Sequence, residues 1–339
     1  MRRSGKWTKF KVIEVHSLKT ESNRLNNKPL LYNRIVTLSQ KQNSEDAIWE
    51  DVTVCIVTYN SAAVIESCLK PLLAAAKIII VDNASTDDTC SLVQRISPGI
   101  EIIKNKKNIG YGAAMNMAMS RVKTDYGFAI NPDAIIQPDA IKELVNASKI
   151  EPRPAIICPF LHDGKGKAEV SVMGPNELHH SPMTADLDGN FCSWFVTGAA
   201  LLYRMSAWRD IGGYDETFFL YSEDNDLALR TTKKGYSMVI APKATVIHNG
   251  GTSSRPSTHV VWLKNWHMAW SHLYLTAKHV DVSLARREAI EKAFKYGLKA
   301  IFYWLVFQWA RARRDGARLS ACLSYLFRPL SIARHMGEK

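Results

Sequence analysis

The sequence is short of paired cysteines. Its six (Cys55, Cys68, Cys90, Cys158, Cys192 and Cys322) are scattered and form no C-x-x-C pair. That argues against structural zinc and for a reducing compartment. Missing too is any apolar run of the roughly 18 residues that a spanning helix needs. The start, MRRSGKWTKFKVIEV, is basic with no apolar run behind it, so no secretory signal is read there. No glycine-rich, Lys/Arg-bearing loop follows the first apolar run, where a triphosphate cradle would stand.

Charge is present but uneven. The 339 residues carry a formal net charge of +12. Residues 1–46 contribute +6 and residues 276–339 contribute +8, which leaves the middle at −2. A near-neutral body with two basic ends suggests electrostatic attachment to anionic lipid or nucleic acid. The basic ends hold no nucleic-acid-binding motif, so a membrane surface is the expected partner. The longest apolar stretch is AIFYWLVFQWA (Ala300–Ala310), flanked by Lys299, Arg311, Arg313 and Arg314. It reads either as a helix lying in a membrane interface or as a core-packed helix with a basic last turn. Trp262, Trp266 and Trp270 recur at helical spacing, a pattern of packing or of a membrane interface.

Three segments are expected: a basic leader over 1–48, a catalytic or binding body over 49–255, and a basic helical region over 256–339. The body alternates. VTVCIV (Val52–Val57), KIIIVD (Lys77–Asp82), IEIIKN (Ile100–Asn105) and YGFAI (Tyr126–Ile130) read as buried strands. Helices are predicted over Ser61–Ala76 with Ser61 as N-cap, Ser85–Ile96, and Gly110–Val122. This order predicts an α/β fold, a doubly wound and mostly parallel sheet. Residues 139–150 predict another helix, Phe195–Arg204 a strand, and Ser222–Gly235 a helix with Ser222 as N-cap. Met238–Gly251 reads as a strand pair. The polar stretch 163–190 reads as a flap or a surface insertion.

Ligands of such sheets sit beyond the carboxyl ends of the strands. Thr58, Tyr59 and Asn60 follow the first strand, Asp82 and Asn83 end the second, and Asn131 and Asp133 end the fourth. Turn chemistry alone favours Asn and Asp in loops, but it does not select the same rim each time. A second concentration of polar residues is GGYDETFFLYSEDNDLALR (Gly212–Arg230), with five acids in a basic chain. A capped helix start explains two or three of them. It does not explain the apolar Phe218–Tyr221 wall leading into Glu223 and Asp224. Asp226 is placed to pair with Arg230 one turn on, and Asp87 reads as a helix-capping carboxylate.

VCIVTYNS, IIVDNASTDDT, NIGYGAAMN, INPDA and GGYDETFFLYSEDNDLALR, in that order, resemble a family 2 glycosyltransferase with the GT-A fold, in its rhamnosyltransferase-like branch. The resemblance covers about residues 50–255. It implies an inverting transfer from a UDP- or dTDP-linked sugar, rhamnose among the candidates, to a hydroxyl of a glycan or lipid-linked glycan. It implies polysaccharide biosynthesis on the cytoplasmic side, with peripheral attachment to the inner face of the membrane. Thr58, Tyr59, Asp82 and Asn108 are then expected around the nucleotide, with Asn60, Asn83, Gly110, Trp194 and Gly198 among the substrate-binding positions. Trp194 could equally fill the core. Asp133 matches the last acid of the family's Asp-X-Asp motif, which binds Mg²⁺ or Mn²⁺. Asn131 replaces the first acid and removes one charge, so strict metal dependence does not follow. His248 matches a further metal-ligand position, and the adjacent Gly250, Gly251, Thr252 and Ser253 read as a loop that could touch phosphate through backbone N–H groups. Asp224 matches the general base, with Glu223 beside it. Two other readings remain at this point: a non-catalytic nucleotide-sugar-binding protein, kept open by Asn131, and a sugar nucleotidyltransferase, disfavoured by the missing phosphate loop.

Overall fold

The computed structural model describes residues 49–75, 77–150, 153–165, 168, 171–172, 181–182, 189–248 and 257–327. The leader over 1–48 and the Gly250–Ser253 loop lie outside them. Residues from 49 onward form one compact unit.

The strands β1 (Val52–Thr58), β2 (Lys77–Asp82), β3 (Glu101–Lys104) and β4 (Tyr126–Ile130) form where the apolar runs predict them. Every residue of β1 and β4 is buried, as runs of β-branched and apolar residues require when both faces are covered. Between them lie α1 (Ile65–Leu69), α2 (Thr89–Ile96) and α3 (Tyr111–Met119). α1 is shorter than predicted, and Ser61 does not cap it. The Ser61 hydroxyl instead accepts the Tyr59 N–H (3.2 Å), so it is engaged in the preceding turn. α2 starts at Thr89 rather than Ser85, because Asp87 accepts from the Thr89 N–H (3.1 Å) and from its hydroxyl (2.5 Å), the capping role expected of Asp87.

After β4 come β5 (Ala134–Ile136), α4 (Ala140–Ala147) and β6 (Ile156–His162), then the short pair β7 (Ser171–Val172) and β8 (Ser181–Pro182), and β9 (Phe191–Ser193). β10 (Ala200–Arg204), α5 (Met205–Ile211), α6 (Glu223–Lys233) and β11 (Met238–His248) complete the α/β part. The main sheet runs β3-β2-β1-β4-β10-β6-β11-β5, with β9 on β11. β1 to β4 pair in parallel; β10 runs antiparallel to both β4 and β6. The predicted strand pair over Met238–Gly251 is one strand with a register shift between Ala241 and Thr245. Pro242 lies in that gap and has no N–H to give the ladder.

The predicted tail consists of α7 (Thr258–His279), α8 (Val282–Leu305) and α9 (Trp309–Phe327). Trp266 and Trp270 pack with Ala317 and Ala321 in its core, so the tryptophan stripe is packing there. Ala300–Ala310 is not one helix. It is the end of α8, a turn, and the start of α9.

Candidate active site

The sheet's carboxyl rim collects the predicted residues. At its left end Thr58 Oγ1 donates to Asp82 Oδ1 (2.8 Å), and the Ser85 N–H and hydroxyl donate to the same carboxylate (2.9 and 2.6 Å). Asp82 thus clamps β1 to the loop after β2. It also lines a cleft of about 650 Å³ together with Asp88, Gln94, Lys104 and Asn105. Tyr59, at the end of β1, is 37% exposed and leaves a ring face available. Asn60 has φ 53° and accepts the Thr86 N–H through Oδ1 (2.8 Å), a turn role. Asn83 is engaged at both ends of its amide: it donates to Gly110 O (3.0 Å) and accepts from Asn105 (2.8 Å). Asn108 Oδ1 accepts the Gly110 N–H (2.9 Å).

Gly110 meets protein rather than open space. It has φ +90°, and a Cβ there would lie 2.9 Å from Phe219 Cα. The next N–H, of Tyr111, donates to Phe219 O (3.1 Å). One turn on, Asn116 holds Tyr214 by both its carbonyl (2.9 Å) and its N–H (2.9 Å). The NIGYGAAMN motif therefore builds the seat for the acidic loop.

That loop ends with Tyr221 and Ser222, consecutive non-glycine residues at φ 68° and 65°. Such backbone costs about 1–3 kcal/mol per residue and clusters at functional sites. Ser222 makes no side-chain cap for α6, contrary to expectation, since a left-handed N-cap turns its hydroxyl away. The turn brings Asp224 against Gly198: a Cβ on Gly198 would lie 2.6 Å from Asp224 Cγ. Gly198 is thus a positioning contact for the carboxylate. Tyr214 OH donates to Asp224 Oδ1 (3.2 Å) and is 2.7 Å from Tyr203 OH. Burial raises the Asp224 pKa to about 6, against hydrogen bonds from Tyr214 and Gly198 that lower it. Glu223 is pushed further up, first by burial and then by the Asp224 charge, and its Oε2 is buried without a hydrogen bond. Both carboxyls are therefore held above the ordinary carboxylate range, Glu223 the more strongly.

Asp224 and the loop after β4 meet at one place. Ala200 pairs with Ile130 across β10 and β4, and the Asn131 N–H donates to Ala199 O (2.8 Å). Gly198, under Asp224, is one residue from Ala199, and Asn131 is two from Asp133. On the other side β11 pairs His248 with Ala134, which brings His248 Nε2 to 3.6 Å from Asp133 Oδ1. Asp133 is buried, and among the described residues Oδ1 accepts no hydrogen bond. A buried carboxylate oxygen without a donor, beside an imidazole, fits a shared cation: two ligands at about 2.1 Å from one ion can stand that far apart. Among the described residues no third His, Cys, Asp or Glu joins them, so a cation there would take its remaining ligands from substrate and water. Trp194 is 48% exposed, which leaves its ring outside the core.

The tyrosines are the group sequence reading missed. Tyr111, Tyr203 and Tyr214 come from three separate segments, and only the folded chain brings them around Asp224.

The mixed sheet of this order, with carboxylates, a buried Asp–His pair and a cleft on one rim, has the form expected of the GT-A fold. Residues 53–212, just under half of the chain, match the family model described as Glycosyl transferase family 2. The match ends before α6, so Asp224 and His248 lie beyond it. Among similar proteins is the N-acetylglucosaminyl-diphospho-decaprenol L-rhamnosyltransferase of Mycobacterium tuberculosis, 27% identical over 67% of this chain and 84% of its own length. Rhamnosyltransferase WbbL of Escherichia coli is 25% identical over 68% of this chain and 94% of its own. Among solved structures, the mannosyltransferase PcManGT of Pyrobaculum calidifontis, in complex with GDP-Man and Mn²⁺, overlaps with a TM-score of 0.49 at 16% identity, covering 82% of this chain and 87% of that one.

Proposed function

We propose that the protein transfers a sugar, with inversion, from a UDP- or dTDP-linked donor to a hydroxyl of a glycan or lipid-linked glycan in polysaccharide biosynthesis. Rhamnose is the leading candidate sugar, on the strength of the relatives' names. The observation that carries the reading is the meeting of Asp224 and the Asn131–Asp133 loop on one rim through Gly198 and Ala199. Asp224 takes the proton from the acceptor hydroxyl as its oxygen attacks the anomeric carbon; the bond to the diphosphate breaks and the nucleoside diphosphate leaves. An acid with a raised pKa suits this, because its ionised form is a stronger base than an ordinary carboxylate. Glu223, holding its proton, keeps the site from carrying two adjacent negative charges. Asp133 and His248 would hold Mg²⁺ or Mn²⁺, which when bound offsets charge on the departing diphosphate. Tyr59 supplies a stacking face for the base and Asp82 lies at the nucleoside cleft. Trp194 offers an aromatic face to a sugar.

The enzyme is further read as cytoplasmic and peripheral on the inner face of the membrane. All six cysteines are free, and no described helix is long and apolar enough to cross a bilayer. In the test, UDP or dTDP with Mn²⁺ raises the melting temperature of the purified protein and ATP does not. Asp224→Asn lowers transfer by about 10²–10⁴-fold while that thermal shift persists. Full activity in Asp224→Asn overturns the base assignment.

A further inference from the structure

We infer that the tip of the α8–α9 hairpin is a docking surface for an anionic phospholipid bilayer. The inference builds on the peripheral-membrane reading above but not on the transfer chemistry. Phe294, Leu298, Ile301, Phe302 and Leu305 repeat along one side of α8, and Phe307 follows in the turn. They are 71, 55, 60, 58, 61 and 76% exposed. Soluble proteins seldom leave so many large apolar side chains together in water unless something covers them.

The turn adds a second observation. Phe307 has φ 57°, a left-handed conformation that a bulky residue avoids. Its ring meets that of Trp309 edge-on, with centres 5.8 Å apart, yet stays the most exposed of the six. A backbone held in this way to present an aromatic ring outward is explained by a partner outside the chain.

Charge identifies that partner. From Phe294 to Arg314 there are five cations (Lys295, Lys299, Arg311, Arg313 and Arg314) and no acid. The Arg311 and Arg314 guanidinium groups stand 5.6 and 5.9 Å from the Tyr303 ring centre, at the foot of the apolar tip. An apolar wedge with basic residues behind it matches acyl chains below a layer of headgroup phosphates. A second copy is a poorer match, since two-fold pairing would set these cations against their own kind. Beside the turn, Trp262, Trp309, Arg313 and Arg314 line a cavity of about 500 Å³ between α7 and α9, at the level where headgroups would lie.

The test uses the full chain, without any sugar donor, in co-sedimentation with vesicles. Lipids are phosphatidylcholine alone or with about 30 mol% phosphatidylglycerol. Binding is expected to the anionic vesicles, weakly to the neutral ones, and to fall between about 0.1 and 0.5 M salt. Phe302→Ser with Leu305→Ser and Phe307→Ser is expected to weaken partition about tenfold or more with an unchanged circular dichroism spectrum. Should that variant misfold, Lys295→Glu with Lys299→Glu and Arg311→Glu, all at exposed positions, is expected to remove the preference for anionic lipid. Absence of binding to anionic vesicles overturns the inference, as does equal binding by folded variants. So does a dimer on gel filtration that the serine variant dissociates while vesicles bind neither protein. Because no donor is present, failure here leaves the transfer reading standing, and loss of transfer in Asp224→Asn leaves this one standing.

Discussion

Asp224 owes its raised pKa to burial, which outweighs hydrogen bonds from the Tyr214 phenol and the Gly198 backbone. Burial raises its pKa to about 6, and the Tyr214 hydroxyl, donating at 3.2 Å, pulls the other way. In the proposed mechanism transfer needs ionised Asp224, so activity is expected above that pKa and is expected to be lost as pH falls through it. Tyr214→Phe removes a donor to the ionised form and raises the pKa. The acid limb of kcat/KM should then move up by about half a pH unit. A pH–rate profile of both proteins checks this; an unmoved limb would mean that Tyr214 does not tune the titrating group. Tyr203, 2.7 Å from the Tyr214 oxygen, holds that phenol in place.

At the scale of elements, α6 is anchored through Asp226. Its carboxylate is wholly buried and meets Arg230 (2.8 Å), Lys278 (2.6 Å) and His279 (2.7 Å). Burial works to raise its pKa, but the His279 hydrogen bond and the two cationic charges prevail and hold it below the usual range. The resulting stability is full above the unfolded value of about 4 and is lost as pH falls through the lower folded value. Asp226→Ala should cost about 3 kcal/mol, read by urea unfolding at neutral pH; a cost below about 1 kcal/mol would show that the cluster holds nothing together. The Arg230 partner was legible from its spacing in the sequence; Lys278 and His279 were not, because they arrive from α7 through tertiary packing. Similar limits apply elsewhere. β1, β2 and β4 could be read because strands buried on both faces are apolar throughout. α1 fell short because the Ser61 hydroxyl had a nearer use. Asp133 was legible as a rim residue and His248 only through the family resemblance, and their proximity depends on β5 pairing with β11, which no local pattern encodes. Ala300–Ala310 was read as one helix, since the left-handed turn at Phe307 has no glycine to announce it.

For the molecule as a whole, α7 braces the acidic loop, with α8 and α9 packed against α7. Ser271 donates to Leu220 O (2.9 Å), Tyr274 packs on Phe218 with ring centres 4.9 Å apart, and His267 stacks on Phe219 at 4.6 Å. Lys278 pairs with Asp215 (2.7 Å), whose pKa falls to about 2 although burial opposes the shift. A chain ended after residue 256 uncovers Phe218 and Phe219, each worth about 1.5–3 kcal/mol when buried, and strips Asp226 of Lys278 and His279. Low soluble yield and loss of the near-UV circular dichroism signal are expected. A truncated protein that melts cooperatively and still responds to nucleotide would show that the sheet stands without its brace.

The reversed course of β10 has one more result. Because it enters the sheet where β4 leaves it, the chain between β6 and β10 starts and finishes at the same rim, as a handle does.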